Sequence, residues 1–176
     1  MVFVLTKDTK LIELARSRTA DQHAYTASII TGKPEALVGK GTEERQTAKS
    51  VSHAAQRDMQ AKTMADFMLK QNIVHVDGTP YEEAECDAIL ELYHKAFPGI
   101  RLWQQSIRRE VRTKKYLMNR WGRIWDVRYE EMNDDLYRKG YNFLPQSSCA
   151  DLTNQCFAAL HTWLKTEHMR SRILMQ

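Results

Sequence analysis

Between Thr42 and Asp58, Arg45, Lys49, His53 and Arg57 recur at every fourth position. On a helix this spacing stacks four side chains along one face, about 6 Å apart at Cβ. Four groups that are cationic, or can become so, repel one another when stacked in a stripe. An extended anion would relieve that repulsion, and a triphosphate has a suitable length. The same spacing also suits a solvent-facing basic stripe, the common fate of charge runs on helices. Thr42 fits the N-cap, and Glu43 and Glu44 suit the positive end of the helix dipole.

A second group with chemical potential lies between Arg101 and Arg128. Its cations are Arg101, Arg108, Arg109, Arg112, Lys114, Lys115, Arg120, Arg123 and Arg128, against the acids Glu110 and Asp126. Nine less two leaves +7 in this segment. The whole chain carries +4, so the remainder is net −3. Trp103, Tyr116, Trp121 and Trp125 are interleaved with these cations. Basic residues mixed with aromatics fit contact with a nucleic-acid backbone, and they equally fit a basic surface over buried aromatics.

The elements that must position these groups are mostly helical. Leu11, Ile12, Leu14 and Ala15 give Thr9–Arg18 a short helical pattern. Asp21–Thr31 reads as a helix closed by Gly32 as a C-cap, with His23 in its first turn. The loop from Gly32 to Gly41 then delivers the chain to the Arg45 helix, and periodicity resumes at Ala61–Lys70. After a break at Asn72–Thr79, where Asp77-Gly78 forms a turn, Thr79 fits an N-cap with Pro80 at N1 and Glu82 at N3. That helix runs to about Phe97, with Ala84, Ala88, Leu92 and Ala96 near one face. Pro98-Gly99 breaks it, and a further helix covers Ile100 to about Lys114, with Leu102 or Trp103, Ile107 and Val111 turned inward. Short β-compatible runs on either side of Trp121-Gly122 outline a hairpin over 116–127. Asn133-Asp134-Asp135 offers another helix start. Pro145 should bend or interrupt the chain at that point, so the long apolar-periodic helix is placed at 151–168, through Leu152, Cys156, Ala159, Leu160 and Trp163. Arg172 to Gln176 is strand-like.

A chain of 176 residues can bury a sizeable core. It contains no run of ~18 apolar residues that would span a membrane, and Met1–Leu5 is too short for the apolar region of a signal peptide. Cys86, Cys149 and Cys156 lack CxxC spacing and read as reduced thiols of a cytoplasmic protein. A pI near 9.0 favours an anionic partner.

Taken in order, several of these stretches resemble the fingers and adjoining palm of family A DNA polymerases, the DNA polymerase I type of bacteria and phages. Asp21-Gln22-His23-Ala24-Tyr25-Thr26-Ala27 resembles a D-x-H-x-x-T-A segment, and Arg45-x-x-x-Lys49 resembles the R-x-x-x-K that opens the nucleotide-binding helix. Phe97-Pro98-Gly99 resembles a Y/F-P-G turn, and Trp121-Gly122-Arg123 the G-R of an L-x-G-R-R hairpin. Arg138-x-x-x-Asn142-x-x-Pro145-Gln146-x-x-x-Ala150-Asp151 resembles R-x-x-x-N-x-P-x-Q-G-T-A-A-D with its proline moved by one place.

The resemblance implies a mainly α fold with a small β hairpin. Fingers-like helices would occupy 8–97, including the nucleotide-binding helix 43–58, and a fingers and palm segment 98–176. It implies that His23, Arg45 and Lys49 hold the phosphates of an incoming dNTP. It also implies that Arg138, Asn142 and Gln146 contact primer-template DNA near its growing end, with the hairpin arginines Arg120 and Arg123 on the backbone. His53 and Arg57-Asp58 stand where the family has an aromatic and then Tyr-Gly, so an imidazole and a guanidinium would replace the stacking platform. Gln146-Ser-Ser-Cys-Ala-Asp151 keeps small residues where the family has small residues.

Such enzymes hold two metal ions with carboxylates from D-Y-S-x-x-E and H-D-E motifs, neither of which occurs here. The expectation is therefore that Mg2+ serves the complete enzyme through ligands outside this chain. The chain alone is then inactive and depends on the remaining polymerase segments. The alternative is a non-catalytic helical module that binds nucleic acid through its basic segment.

Overall fold

A computed structural model of the chain describes residues 2–75 and 77–173. Its helices are α1 (Val2–Thr6), α2 (Thr9–Arg16), α3 (Gln22–Thr31), α4 (Glu43–Gln56), α5 (Ala61–Lys70), α6 (Glu83–Ala96), α7 (Pro98–Lys114) and α8 (Asp134–Thr166). Strands β1 (Tyr116–Met118) and β2 (Ile124–Asp126) pair antiparallel, with Leu117 opposite Trp125. The expected fold class, mainly α with a small hairpin, holds. The chain forms two compact units, Val2–Arg109 and Glu110–Gln176.

In the first unit, α4 is the packed centre, against α3, α5 and α6. Its buried face is made of small residues, among them Ala48, Val51, Ser52, Ala54 and Ala55. Small side chains let neighbouring helices approach while the interior stays close-packed. Across from them lie Leu11, Met64, Met68, Tyr93, Phe97 and Ile100, all fully or nearly fully buried. Local chemistry sets the ends as expected: the Thr42 hydroxyl accepts from the Arg45 amide at 3.3 Å, and Gly32 closes α3 at φ +70°, the left-handed region that glycine enters freely.

Three expectations about α6 and α7 need correction. The N-cap of α6 is Glu82, not Thr79, because the Thr79 hydroxyl donates to Asp77 Oδ1 at 2.6 Å and is spent in the preceding turn. Glu82 forms the capping box with Glu85. On α6 the core face is Cys86, Ile89, Leu90 and Tyr93, while Ala84, Ala88 and Leu92 face solvent. Helix α7 begins at Pro98, where a missing amide costs nothing. Of the two residues expected to turn inward there, Trp103 is buried and Leu102 is exposed.

The largest difference is α8, a 33-residue helix from Asp134 to Thr166, about 50 Å long, that continues uninterrupted through Pro145. The helix is not confined to 151–168. Proline removes one ladder hydrogen bond, yet α8 is anchored on both sides of it. Tyr141 is buried and Phe143 packs on Trp125 at 5.7 Å, while Ser147 and Asp151 bond the hairpin. Beyond Asp151 the apolar stripe is exposed at Leu152, Phe157, Leu160 and Trp163. The strand-like run expected at 172–176 lies partly outside the described residues, and Arg172 and Ile173 belong to no regular element. Cys86 is buried, which pushes its thiol up to about 11, with Glu85 adding to the shift. Cys149 and Cys156 are exposed on α8.

Candidate nucleotide and nucleic-acid interfaces

The α4 stripe is built outward from that buried face. Arg45 sits in the first turn of α4, near the positive end of the helix dipole, where a cation is disfavoured. Its Nε donates to Asp21 Oδ2 at 2.7 Å, which offsets that cost. Asp21 is also the N-cap of α3, its Oδ1 accepting from the amides of His23 at 2.9 Å and Ala24 at 3.3 Å. One carboxylate thus fixes the start of α3 to the first turn of α4. Burial works to raise the Asp21 pKa, but Arg45 and the two amides together hold it below the usual carboxylate value.

This clasp brings His23 to the stripe. Burial lowers the His23 pKa, and the charges of Arg45, Lys49 and His53 lower it further, against Asp21. His53 is shifted the same way, by partial desolvation of its ring and then by Arg57 and Lys49. Lys49, His53 and Arg57 are exposed and, among the described residues, have no carboxylate partner. The contact to Arg45 uses Nε only. His23 Nδ1 is buried and without a hydrogen-bond partner among the described residues. The structure therefore gathers His23, Arg45, Lys49 and His53 along α4, with Arg57 beyond them as the C-cap.

The far end of α4 is held by contacts that no sequence pattern singles out. Gln104 on α7 is buried and donates to the carbonyls of Ala55 at 2.8 Å and Gln56 at 3.3 Å. Arg108 pairs with Asp58 at 2.7 Å, and Gln56 donates to the Tyr93 hydroxyl at 3.3 Å. No periodicity marks a glutamine inside a basic, amphipathic helix as a cap for its neighbour.

In the second unit, Asn119 is the organising residue, and the sequence reading passes over it too. Its Oδ1 accepts from the amides of Trp121 at 2.9 Å and Arg123 at 3.0 Å, shaping the hairpin tip. Its Nδ2 donates to Ser147 Oγ at 3.1 Å and Asp151 Oδ2 at 2.6 Å, tying that tip to α8. Asp151 also receives Arg123 through Nε at 3.1 Å and a terminal nitrogen at 2.5 Å. Gly122 has φ +84°, which only glycine adopts without strain. The one signal for Asn119 is its place directly before a turn.

Arg123 is thus bound to Asp151, whereas Arg120 is exposed at the tip. Arg138, Asn142 and Gln146 fall at fourth positions along α8. The Asn142 amide turns back to the Arg138 carbonyl at 3.1 Å, and Gln146 is exposed. Much of the +7 segment is matched internally: Arg108 by Asp58, Lys114 by Glu110, Arg123 by Asp151 and Arg128 by Asp126. Trp103 is buried, while Tyr116 remains partly open. Among the described residues no group of three or more His, Cys, Asp or Glu side chains could hold a metal ion, so the residues present do not fit the family's metal site.

The model of DNA polymerase family A matches residues 2–176. The chain belongs to DNA polymerase family A. Among its relatives, the thermostable DNA polymerase I of Thermus aquaticus is 27% identical over 177 residues, covering 98% of this chain and 19% of that protein. The DNA polymerase I of Aquifex aeolicus is 30% identical over 108 residues, covering 61% of this chain and 17% of that one. That of Bacillus caldotenax is 27% identical over 177 residues, 98% of this chain and 19% of the relative. This family A chain therefore spans about a fifth of the length of the curated relatives it matches. Among solved structures, the POL domain of Pol1 from M. smegmatis, in complex with DNA primer-template and dNTP, shares the fold. Its TM-score is 0.78 at 24% identity, over 99% of this chain and 29% of that one. Among the described residues no helix of this family A chain is long and apolar enough to cross a membrane.

Proposed function

We propose that this chain is the nucleotide- and primer-template-binding part of a DNA-directed DNA polymerase, acting in template-directed DNA synthesis during replication or repair. The observation that carries this reading is the Asp21–Arg45 clasp, which sets His23 beside Lys49 and His53, cations or potential cations that have no carboxylate partner among the described residues. In this reading Arg45, Lys49, His53 and Arg57 receive the triphosphate of an incoming dNTP, with His23 next to them. Cations held in place before the anion arrives need no reorganisation as charge develops on the leaving pyrophosphate. A largely neutral His23 contributes a hydrogen bond there, not a charge.

Arg120, Arg138, Asn142 and Gln146 are assigned to primer-template DNA, and Arg123 to the same surface through its anchored position at the hairpin. Minor-groove acceptors are similar at A·T and G·C pairs, so polar contacts there can test pair shape without reading sequence. Mg2+ is the metal we assign to the complete enzyme, with carboxylate ligands that are not among the described residues. The exposed apolar stripe of α8 suits the remaining polymerase segments as its partner, and the cytoplasm of a bacterial or phage-infected cell as its setting.

The test is a pair of titrations on the full chain. Arg45→Ala and Lys49→Ala are expected to weaken dNTP binding about tenfold each, the scale of one hydrogen bond to a charged group. Affinity for primer-template duplex should be nearly unchanged. Equal losses for both ligands, or no dNTP binding by the unaltered chain, would overturn the reading and favour a non-catalytic nucleic-acid-binding module.

A further inference from the structure

Where the hairpin tip meets α8, a cleft of about 570 Å³ is lined by Trp121, Gly122, Arg123, Asp151, Asn154 and Gln155. Its walls are unlike those of a phosphate site. Arg123 supplies the positive charge, but its planar fork is spent on Asp151, and the Asp151 carboxylate faces the same space. The two charges cancel, so an anion gains little there and meets a fixed carboxylate.

The remaining chemistry is an aromatic face and two carboxamides. Trp121 is partly buried and lines the cleft, and its backbone amide is pinned by Asn119 at 2.9 Å, which fixes the point from which the indole projects. Asn154 and Gln155 are exposed on α8 and have no hydrogen-bond partner among the described residues. Carboxamides offer a donor and an acceptor side by side, the pattern found on the edge of a nucleobase. Gly122 keeps the rim open, since no atom lies within 4 Å of where its Cβ would stand.

We infer that this cleft takes an unpaired nucleobase of a nucleic-acid strand, stacked on Trp121 and edge-bonded by Asn154 and Gln155. Stacking on an aromatic tolerates any base, because each has a π face. The inference rests on nucleic acid being the partner, as proposed above, and adds a contact that reads bases and not phosphates.

The probes are a short oligothymidylate and an abasic oligomer of the same length, which carry the same charge. The full chain should bind oligothymidylate at least about fivefold more tightly, and Trp121→Ala should remove that preference. Asn154→Ala with Gln155→Ala, two exposed helix positions, should reduce it without touching the fold, and serves if Trp121→Ala does not fold. Equal binding of the two oligomers by a chain that still binds duplex overturns this inference alone. Absence of binding to any of the three nucleic acids overturns it together with the proposed function.

Discussion

Asp21 Oδ2 lies 2.7 Å from Arg45 Nε while Oδ1 of the same carboxylate caps α3. The two tasks separate under mutation, because asparagine caps as well as aspartate but carries no charge. Asp21→Asn is expected to leave α3 intact and cost about 0.5–1 kcal/mol at neutral pH. The Asp21 carboxyl is held below its ordinary value, so its stabilisation is present above the unfolded pKa and lost as pH falls through the folded one. The variant should therefore lose less stability on acidification than the unaltered chain. Parallel acid unfolding curves would show that the pair contributes nothing.

Gly99 allows no side chain. Its amide donates to Asp8 Oδ2 at 2.8 Å, and a Cβ at position 99 would lie 2.7 Å from Asp8 Cβ and 2.9 Å from Asp8 Cα. Backbone cannot yield as a flexible side-chain tip can. Gly99→Ala should cost about 1–3 kcal/mol, read from the shift of the denaturation midpoint. Asp8→Ala should cost about 1 kcal/mol or more, since it also uncaps α2 at Leu11.

His94 should make the first unit acid-sensitive. Burial first and the charge of Arg101 second, opposed by Asp58, together lower its pKa to about 4. The unfolded imidazole takes up its proton near 6.5, so protons favour the unfolded chain. Stability then falls as pH drops from about 6.5 towards about 4. Denaturant midpoints at pH 7.5 and pH 5 should differ less for His94→Gln than for the unaltered chain. An identical difference would remove His94 from the account.

Asn119 makes four side-chain hydrogen bonds, two to amides of the hairpin tip and two that join the tip to α8. Asn119→Ala leaves the Trp121 and Arg123 amides and the Ser147 hydroxyl without that partner, and should cost about 2–3 kcal/mol. The melting of the second unit reports it. A loss under 0.5 kcal/mol would mean that water replaces the asparagine at little cost.

The features legible from residues alone are those written locally. Thr42 and Gly32 announce helix ends through their own backbone and side-chain chemistry, and the fourfold spacing of Arg45 and Lys49 is visible on any helix. Pro145 misleads because its local cost is outweighed by anchors at Phe143, Ser147 and Asp151, whose partners lie far off in sequence. Thr79 misleads because a competing local turn with Asp77 claims its hydroxyl. Gln104 and Asn119 are invisible for a different reason. Each bonds to groups between 2 and 49 positions away, and neither a polar residue's type nor its spacing reveals such a partner.

The three thiols of this chain differ in more than exposure. Cys86 stays protonated at neutral pH and is closed off, so a thiol-directed reagent has no thiolate to reach there. Cys149 and Cys156 stand open on one helix, seven positions and about 10 Å apart along its axis. A fluorophore or spin label attached at neutral pH therefore marks α8 alone. That helix carries Gln146 and Asp151, so the DNA contact proposed for it can be tested by spectroscopy in the natural sequence, without an engineered residue.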